Sequence, residues 1–212
     1  MRALEEYNRR RHFELTREPK PKKLSSKSGR LFVVQKHRAS HLHYDLRFEV
    51  DGVLKSWAVP KGPSLDSSVK RLAMATEDHP LEYANFEGII PEGEYGGGTV
   101  MVWDYGTYEE EDREPGESIR RGEFKFKLNG NKLKGSWVLV RIRARNWLLI
   151  KHRDRSATGK DVTNSKPFSV LTRRTLAEIA KDEGGNVAKA STGDPERVPR
   201  RPRSKRKAAK AS

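Results

Sequence analysis

The stretch His37-Arg38-Ala39-Ser40-His41-Leu42-His43-Tyr44-Asp45-Leu46-Arg47-Phe48-Glu49-Val50 places three of the chain's six histidines beside a carboxylate and a guanidinium. In a β-strand the side chains alternate. His41, His43, Asp45, Arg47 and Glu49 then share one face, and Leu42, Tyr44, Leu46, Phe48 and Val50 share the other. The apolar face belongs against a core. The preceding Phe32-Val33-Val34-Gln35-Lys36-His37 alternates in the same way, with Gln35 and His37 on one face, so pairing the two strands brings His37 against His43 and Asp45. A strand whose polar face simply meets water gives the same alternation. Solvent faces, however, are usually filled by Lys, Glu and Thr, whereas His-x-His-x-Asp-x-Arg gathers two residue types that bind metal ions and one that grips phosphate bidentately. Two imidazoles and a carboxylate can hold a divalent cation and leave coordination positions open. The spacing fits a metal site as well as it fits a solvated strand.

Outward from this stretch, Leu31 to Ile150 is a series of short alternating or apolar runs punctuated by Gly, Pro and Asn, an all-β pattern. It predicts strands over 31 to 37, 41 to 50, 53 to 59, 71 to 77, 98 to 104, 123 to 128, 136 to 142 and 146 to 151. Turn chemistry marks the joints at Asp51-Gly52, Pro60-Lys61-Gly62-Pro63, Asp78-His79-Pro80, Gly96-Gly97-Gly98, Pro115-Gly116 and Asn129-Gly130-Asn131. Asp51-Gly52 is the clearest hairpin signal. Strands in this number favour a mainly β fold closed into a compact barrel, which removes exposed edges. Helix is expected in part of 2 to 12 and over 171 to 181, where Thr172 could cap an Ala/Leu/Ile turn. Gly93-Glu94-Tyr95-Gly96-Gly97-Gly98 lacks a Gly-Lys-Ser/Thr ending and precedes a strand, so it reads as a tight strand entry and not a phosphate loop. Trp103, Trp137 and Trp147 lie in apolar strand contexts and read as core.

The 212 residues carry 44 Lys+Arg against 29 Asp+Glu, a net charge of +15, with 34% hydrophobic residues. A surface this basic points first to nucleic acid. No apolar run reaches membrane-spanning length and Met1 to Lys23 does not read as a signal peptide, so the expected location is cytoplasmic, with the nucleoid, and no membrane is expected as a partner. Without cysteine the available metal ligands are His and carboxylates. Residues 181 to 212 hold ten Lys+Arg against four Asp+Glu and no aromatic residue. That segment reads as a disordered basic tail for phosphate backbones.

Further candidates sit at strand ends and turns: Lys61 between two prolines, Arg71 opening a strand, Glu77 and His79 in Thr76-Glu77-Asp78-His79-Pro80, then Tyr83. Taken together the motifs Gln35-Lys36-His37 through Asp45-Leu46-Arg47, Trp57-Ala58-Val59-Pro60-Lys61-Gly62, Glu77-Asp78-His79-Pro80-Leu81-Glu82-Tyr83, Ile90-Pro91-Glu92-Gly93-Glu94-Tyr95-Gly96-Gly97-Gly98 and Trp147-Leu148-Leu149-Ile150-Lys151 closely resemble the 3′-phosphoesterase domain of the bacterial and archaeal DNA ligase D family. The resemblance covers about residues 5 to 165, and the chain reads as a stand-alone version of that domain.

The resemblance implies a β-barrel hydrolase, a manganese-dependent 3′-phosphodiesterase and 3′-phosphomonoesterase that heals 3′ ends in non-homologous end joining. The family removes a terminal 3′ ribonucleotide from a primer strand and then the remaining 3′-phosphate, leaving a 3′-hydroxyl. His37, His43 and Asp45 match its metal ligands. Gln35, Arg47, Lys61, Arg71, Glu77, His79 and Tyr83 match surrounding active-site positions, and Arg11 and Glu18 match two more in the N-terminal segment. The implied organisation is an N-terminal segment, 1–30, that contributes to the active site, a barrel over 31–170, a short helix over 171–180 and the tail over 181–212. A separate DNA ligase, a polymerase and a Ku-like protein are the implied partners. One position departs: the family pattern commonly reads Arg-Asp-Phe where this chain has Arg11-His12-Phe13, which removes a negative charge and an acceptor. His41 lies on the ligand face without matching a ligand.

The residue chemistry agrees. A phosphoryl centre is already negative, so a divalent ion with Arg47, Arg71 and Lys61 would neutralise it before a nucleophile approaches. Mixed His/Asp ligation suits manganese, zinc or cobalt better than magnesium. His79 is the best general acid or phosphate-orienting donor, aligned by Glu77. Two competing readings are a non-catalytic basic barrel that binds DNA ends and recruits a ligase, and a less selective metal nuclease. A pure binder needs phosphate contacts but no metal ligands.

Overall fold

Asp51 and Gly52 take φ values of 51° and 78°, the left-handed pair of a two-residue hairpin turn. They fold β2 (Leu42–Val50) onto β3 (Val53–Val59), with Val50 opposite Val53. In this computed structural model, which describes residues 4–22 and 29–201, antiparallel pairing of strands adjacent in sequence builds most of the sheet. The other strands are β1 (Leu31–Arg38), β4 (Lys70–Ala75), β5 (Gly88–Ile90), β6 (Gly98–Glu110), β7 (Glu123–Gly130), β8 (Lys134–Arg143) and β9 (Asn146–Lys151). Their order is β1-β2-β3-β4-β9-β8-β7-β6, and β6 returns to pair with β1, closing an antiparallel barrel of eight strands. The short β5 lies along the start of β6. The mainly β, closed-barrel expectation holds.

The apolar face of β2 fills the barrel. Phe48 is fully buried, with the rings of Phe126, Tyr108, Phe124 and Trp57 at centroid distances of 4.6, 5.0, 5.2 and 6.2 Å. Edge-on pairs of this kind add roughly 0.5–1.5 kcal/mol each beyond simple burial. Trp103, Trp137 and Trp147 are core as expected. Lys132 is buried beside this core. The side-chain nitrogen of Lys132 donates to the carbonyls of Lys166 and Phe168 at 2.8 and 2.6 Å and lies 4.3 Å from the centroid of the Trp103 ring.

A second apolar layer covers part of the outside. The outward side chains Val33, Val100 and Val102 of β1 and β6 are capped by Leu4 and Tyr7, from the segment bearing α1 (Glu5–Arg9), and by Tyr83, Ala84 and Phe86, in and after the 3-10 turn Leu81–Asn85. The polar face of β2 is therefore no solvent face: Asp45, Arg47 and Glu49 are buried, and so is Gln35 on β1.

Several elements differ from expectation, among them β5 and the extension of β6 to Glu110, neither of which the sequence pattern predicts. β4 stops at Ala75, because the backbone of His79, held just before Pro80, forms a two-bond bridge with Leu54 instead (2.8 and 3.0 Å). The expected turn at Pro115-Gly116 opens a helix, α2 (Pro115–Arg121), with Pro in its first turn and Gly122 at φ 90° as its C-terminal stop. A one-turn α3 (Val162–Ser165) starts at Asp161. The helix expected over 171 to 181 is α4 (Leu176–Asp182); Thr175, not Thr172, caps it, in a capping box with Glu178. The Thr172 hydroxyl is taken by Glu87.

The expectation of a disordered segment from 181 onward is corrected for residues 181–201. Asn186 caps α5 (Val187–Ser191), Ala190 is buried, and the Asp194 carboxylate accepts the Leu176 and Ala177 amides of α4 at 3.1 and 2.9 Å. Low apolar content misled because caps and one alanine hold this segment to an existing surface; it has no core of its own to build. Residues 202–212 of the expected tail lie outside the described residues. Among the described residues no helix is long and apolar enough to cross a membrane.

Candidate active site

The β1–β2 register sets His37 opposite His43 and Gln35 opposite Asp45; the β2–β3 register sets Asp45 opposite Ala58 and Arg47 opposite Ser56. One outer patch of three strands thus carries the whole set. Nδ1 of His37 and Nε2 of His43 lie 3.9 and 3.7 Å from the same oxygen, Oδ2 of Asp45. One donor atom from each of the three residues falls within 4.8 Å of the others, so they form a group able to hold a metal ion.

The other ring nitrogens are already engaged. Nε2 of His37 lies 2.8 Å from the Gly96 carbonyl and Nδ1 of His43 lies 3.1 Å from the His41 carbonyl. A neutral imidazole that donates its N–H to a carbonyl is left with its lone pair on the opposite nitrogen, here the one facing Asp45. The donor chemistry therefore fits a divalent ion: two oriented lone pairs and one carboxylate. Burial pushes the His37 imidazole down from its ordinary value, which keeps it neutral. Burial alone would raise the Asp45 carboxyl, but Arg47 and the two imidazoles override it and hold Asp45 well below the usual carboxylate range. His41 contributes its carbonyl, while its side chain is exposed.

Arg47 is the hub behind the ligands. It donates to Asp45 Oδ2 (3.1 Å), Gln35 Oε1 (2.8 Å) and Ser56 Oγ (2.9 Å), and its Nη1 lies 2.9 Å from Nδ1 of His79. Gln35 is fixed in turn by donating to the Tyr83 and Phe86 carbonyls, both at 2.9 Å. A second guanidinium, Arg11, lies 3.8 Å from the Tyr7 ring centroid and donates to Glu18 (2.9 Å) and Glu77 (3.3 Å). Tyr83 donates its hydroxyl to the same Glu18 oxygen at 2.9 Å. His79 stands between the two guanidiniums, with Nε2 3.3 Å from Arg11 and 3.9 Å from Glu77 Oε1. Burial, then Arg47 and Arg11, push its pKa well below the ordinary value, so the ring is neutral. It has one N–H to give and one lone pair to accept.

Arg11, His37, His43, Asp45, Arg47, Glu77, His79 and Tyr83 line one cleft of about 290 Å³. Gln35 and Glu18 are buried behind it and brace Arg47 and Arg11. Lys61 and Arg71 do not line it. Lys61 is exposed in the turn after β3, and Arg71 pairs with the core residue Leu149, which puts it on the interior face of β4 with its Nε buried and without a hydrogen-bond partner. His12, at the departing position, is exposed and pairs with Glu94 at 3.0 Å. Sequence reasoning missed Ser56, Tyr7 and Tyr95. For Tyr95 the signal was present, since it sits in the glycine-rich motif that supplies Gly96.

Residues 35–141, half of the chain, match the family model described as DNA Ligase D 3′-phosphoesterase domain. The chain belongs to this family. The 3′-phosphoesterase match is supported by curated relatives. One is the "Multifunctional non-homologous end joining protein LigD" of Pseudomonas aeruginosa, 51% identical over 185 residues that cover 82% of this chain and 22% of that protein. A second is the "Multifunctional non-homologous end joining DNA repair protein LigD" of Mycobacterium tuberculosis, 47% identical over 146 residues, 68% of this chain and 19% of that one. A third, in Mycolicibacterium smegmatis, is 42% identical over 167 residues, 76% of this chain and 21% of that one. The chain spans about a fifth of the length of these relatives.

Proposed function

We propose that this 3′-phosphoesterase-family chain heals 3′ ends of primer strands in DNA break repair by non-homologous end joining, removing a terminal ribonucleotide and then the 3′-phosphate. The observation that carries the reading is the convergence of His37, His43 and Asp45 with the buried guanidiniums of Arg47 and Arg11 in one cleft. In the first step water adds to phosphorus and the bond to the 5′ oxygen of the terminal nucleoside breaks. In the second, water adds again, the bond to the 3′ oxygen breaks, and inorganic phosphate leaves.

His37, His43 and Asp45 would hold the metal ion, with manganese the best fit to a mixed imidazole and carboxylate set and zinc or cobalt next. Bound there, it would supply Lewis-acid neutralisation of a phosphoryl oxygen. Arg47 and Arg11 add two fixed positive charges that need no rearrangement as negative charge develops. Neutral His79 has the Glu77 carbonyl 2.9 Å from Nδ1 to take its single N–H, which leaves the Nε2 lone pair toward Arg11, so its suited role is to position that guanidinium at the phosphate; an acid role would need a second proton that burial and two guanidiniums disfavour. Glu77 fixes Arg11 and faces His79, and Glu18, Gln35 and Tyr83 hold the guanidiniums in place. A DNA-end substrate is supported by the relatives' printed role in non-homologous end joining, and a separate DNA ligase, a polymerase and a Ku-like protein are the partners proposed with it.

The test is a 5′-labelled primer annealed to a longer template and ending in one 3′ ribonucleotide, incubated with manganese or with chelator. Loss of the ribonucleotide and then of the 3′-phosphate, only with metal, is expected. An untouched but tightly bound primer would instead favour an end-binding module, and cuts at internal phosphodiesters a less selective nuclease.

A further inference from the structure

Tyr95 lines the cleft that contains the metal-ligand set, yet 49% of it is exposed, whereas Tyr83 in the same lining is 2% exposed. Its ring is held, not loose. The Arg10 guanidinium lies 4.5 Å from the ring centroid and donates to the Tyr95 hydroxyl, and Arg10 is itself tied to Glu77 at 3.4 Å and to Glu6. The next residue, Gly96, takes φ 80° and turns its carbonyl onto Nε2 of His37. The ring is thereby anchored one residue from the contact that orients a metal ligand.

We propose that Tyr95 is the platform on which the base of the 3′-terminal nucleoside stacks while its phosphate lies against His37, His43 and Asp45. This rests on the end-healing reading above. The charged lining of the cleft, Arg11, Asp45, Arg47 and Glu77, suits the phosphate, its apolar lining, Ala39, Ala58 and Ile90, is aliphatic, and the guanidiniums of Arg11 and Arg47 are buried and committed to Glu18, Glu77 and Asp45. Tyr95 offers a flat aromatic face at the rim, and Arg10 fixes the ring so that stacking orders little that was free before. Every base has a π-face, so such a platform selects for the presence of a terminal base and not for its identity.

The experiment measures binding of the full chain, in chelator, to two primer-templates: one ending in an ordinary 3′ ribonucleotide, the other with an abasic ribose at that position. Wild type should bind the first about tenfold more tightly, with little difference among the four bases. Tyr95→Phe should keep the preference. Tyr95→Ala should bind both ends as wild type binds the abasic one, with its melting temperature checked alongside. Equal binding of the two ends by wild type overturns the proposal. So does a Tyr95→Ala variant that keeps the preference, or one that weakens both ends equally, which would mark Tyr95 as a support for the Gly96 loop. Turnover of the same primers by wild type in manganese tests the end-healing reading separately, because the binding comparison needs no catalysis.

Discussion

Nε2 of His37 lies 2.8 Å from the Gly96 carbonyl, so a loop more than fifty residues away in sequence decides which imidazole nitrogen faces Asp45. Partners of this kind behind a metal ligand are typically worth about 10- to 100-fold in metal affinity. A Cβ on Gly96 would meet His37 Cε1 at an ordinary 3.5 Å, but φ 80° is strained for alanine. Gly96→Ala is therefore expected to let the carbonyl drift and weaken manganese binding about tenfold, with melting temperature little changed. Calorimetric titration with manganese checks it; unchanged affinity would show that the carbonyl does not set the ligand.

His43→Ala removes one of the three donors and Asp45→Asn removes the charge, while neither side chain belongs to the apolar clusters. Both variants are expected to lose more than about 100-fold in turnover of 3′-end substrates while keeping wild-type circular dichroism and cooperative unfolding. Chelator should do the same to wild type, reversibly on adding manganese. Turnover near the wild-type rate in either variant would count against the ligand assignment.

The barrel and the ligand set were legible because both rest on the two-residue period of β1 and β2: the alternation that fills the interior with Tyr44, Leu46 and Phe48 fixes His43, Asp45 and Arg47 on the other face. What the alternation does not carry is a second layer. That face is covered by Tyr7, Tyr83 and Phe86, which come from distant segments, so the burial of Gln35 and the depressed His79 pKa depend on contacts with no local sequence pattern. Arg71 illustrates the same limit. Its face is set by where β4 starts, and Leu149 opposite shows it to be the interior one. The α5 segment escaped notice for a different reason, since its stability lies in caps and a single buried methyl.

Burial pulls the Lys132 ammonium down to about 6, against the nearby Asp104, whereas in the unfolded chain it titrates near its ordinary value of 10.5. Between those values the unfolded state binds the extra proton. The penalty for burying Lys132 is thus fully present below about pH 6 and shrinks as pH rises, by at most about 1.4 kcal/mol per pH unit. Lys132→Met removes this titration while keeping most of the packing on Trp103. Urea unfolding at pH 6 and pH 8.5 should show wild type gaining at least about 1 kcal/mol relative to the variant on going to the higher pH. Parallel pH profiles would mean that the two carbonyl partners of Lys132 keep it charged in the fold.

Two truncations separate folding from electrostatics at the C-terminal end. A chain ending at 181 loses Asp194, which accepts the first two amides of α4, and the buried Ala190. One lost cap costs about 1 kcal/mol, and lost burial adds to it, so melting should fall by several degrees. A chain ending at 201 keeps every one of those contacts and loses Arg203, Lys205, Arg206, Lys207 and Lys210. It should melt with wild type, yet its DNA affinity should fall less steeply with salt, because fewer phosphate contacts release fewer counterions. Fluorescence anisotropy on one duplex at several salt concentrations measures the slope. An unchanged slope would mean that those five cations do not touch the DNA, and unchanged melting of the shorter chain would mean that α5 adds nothing to the fold.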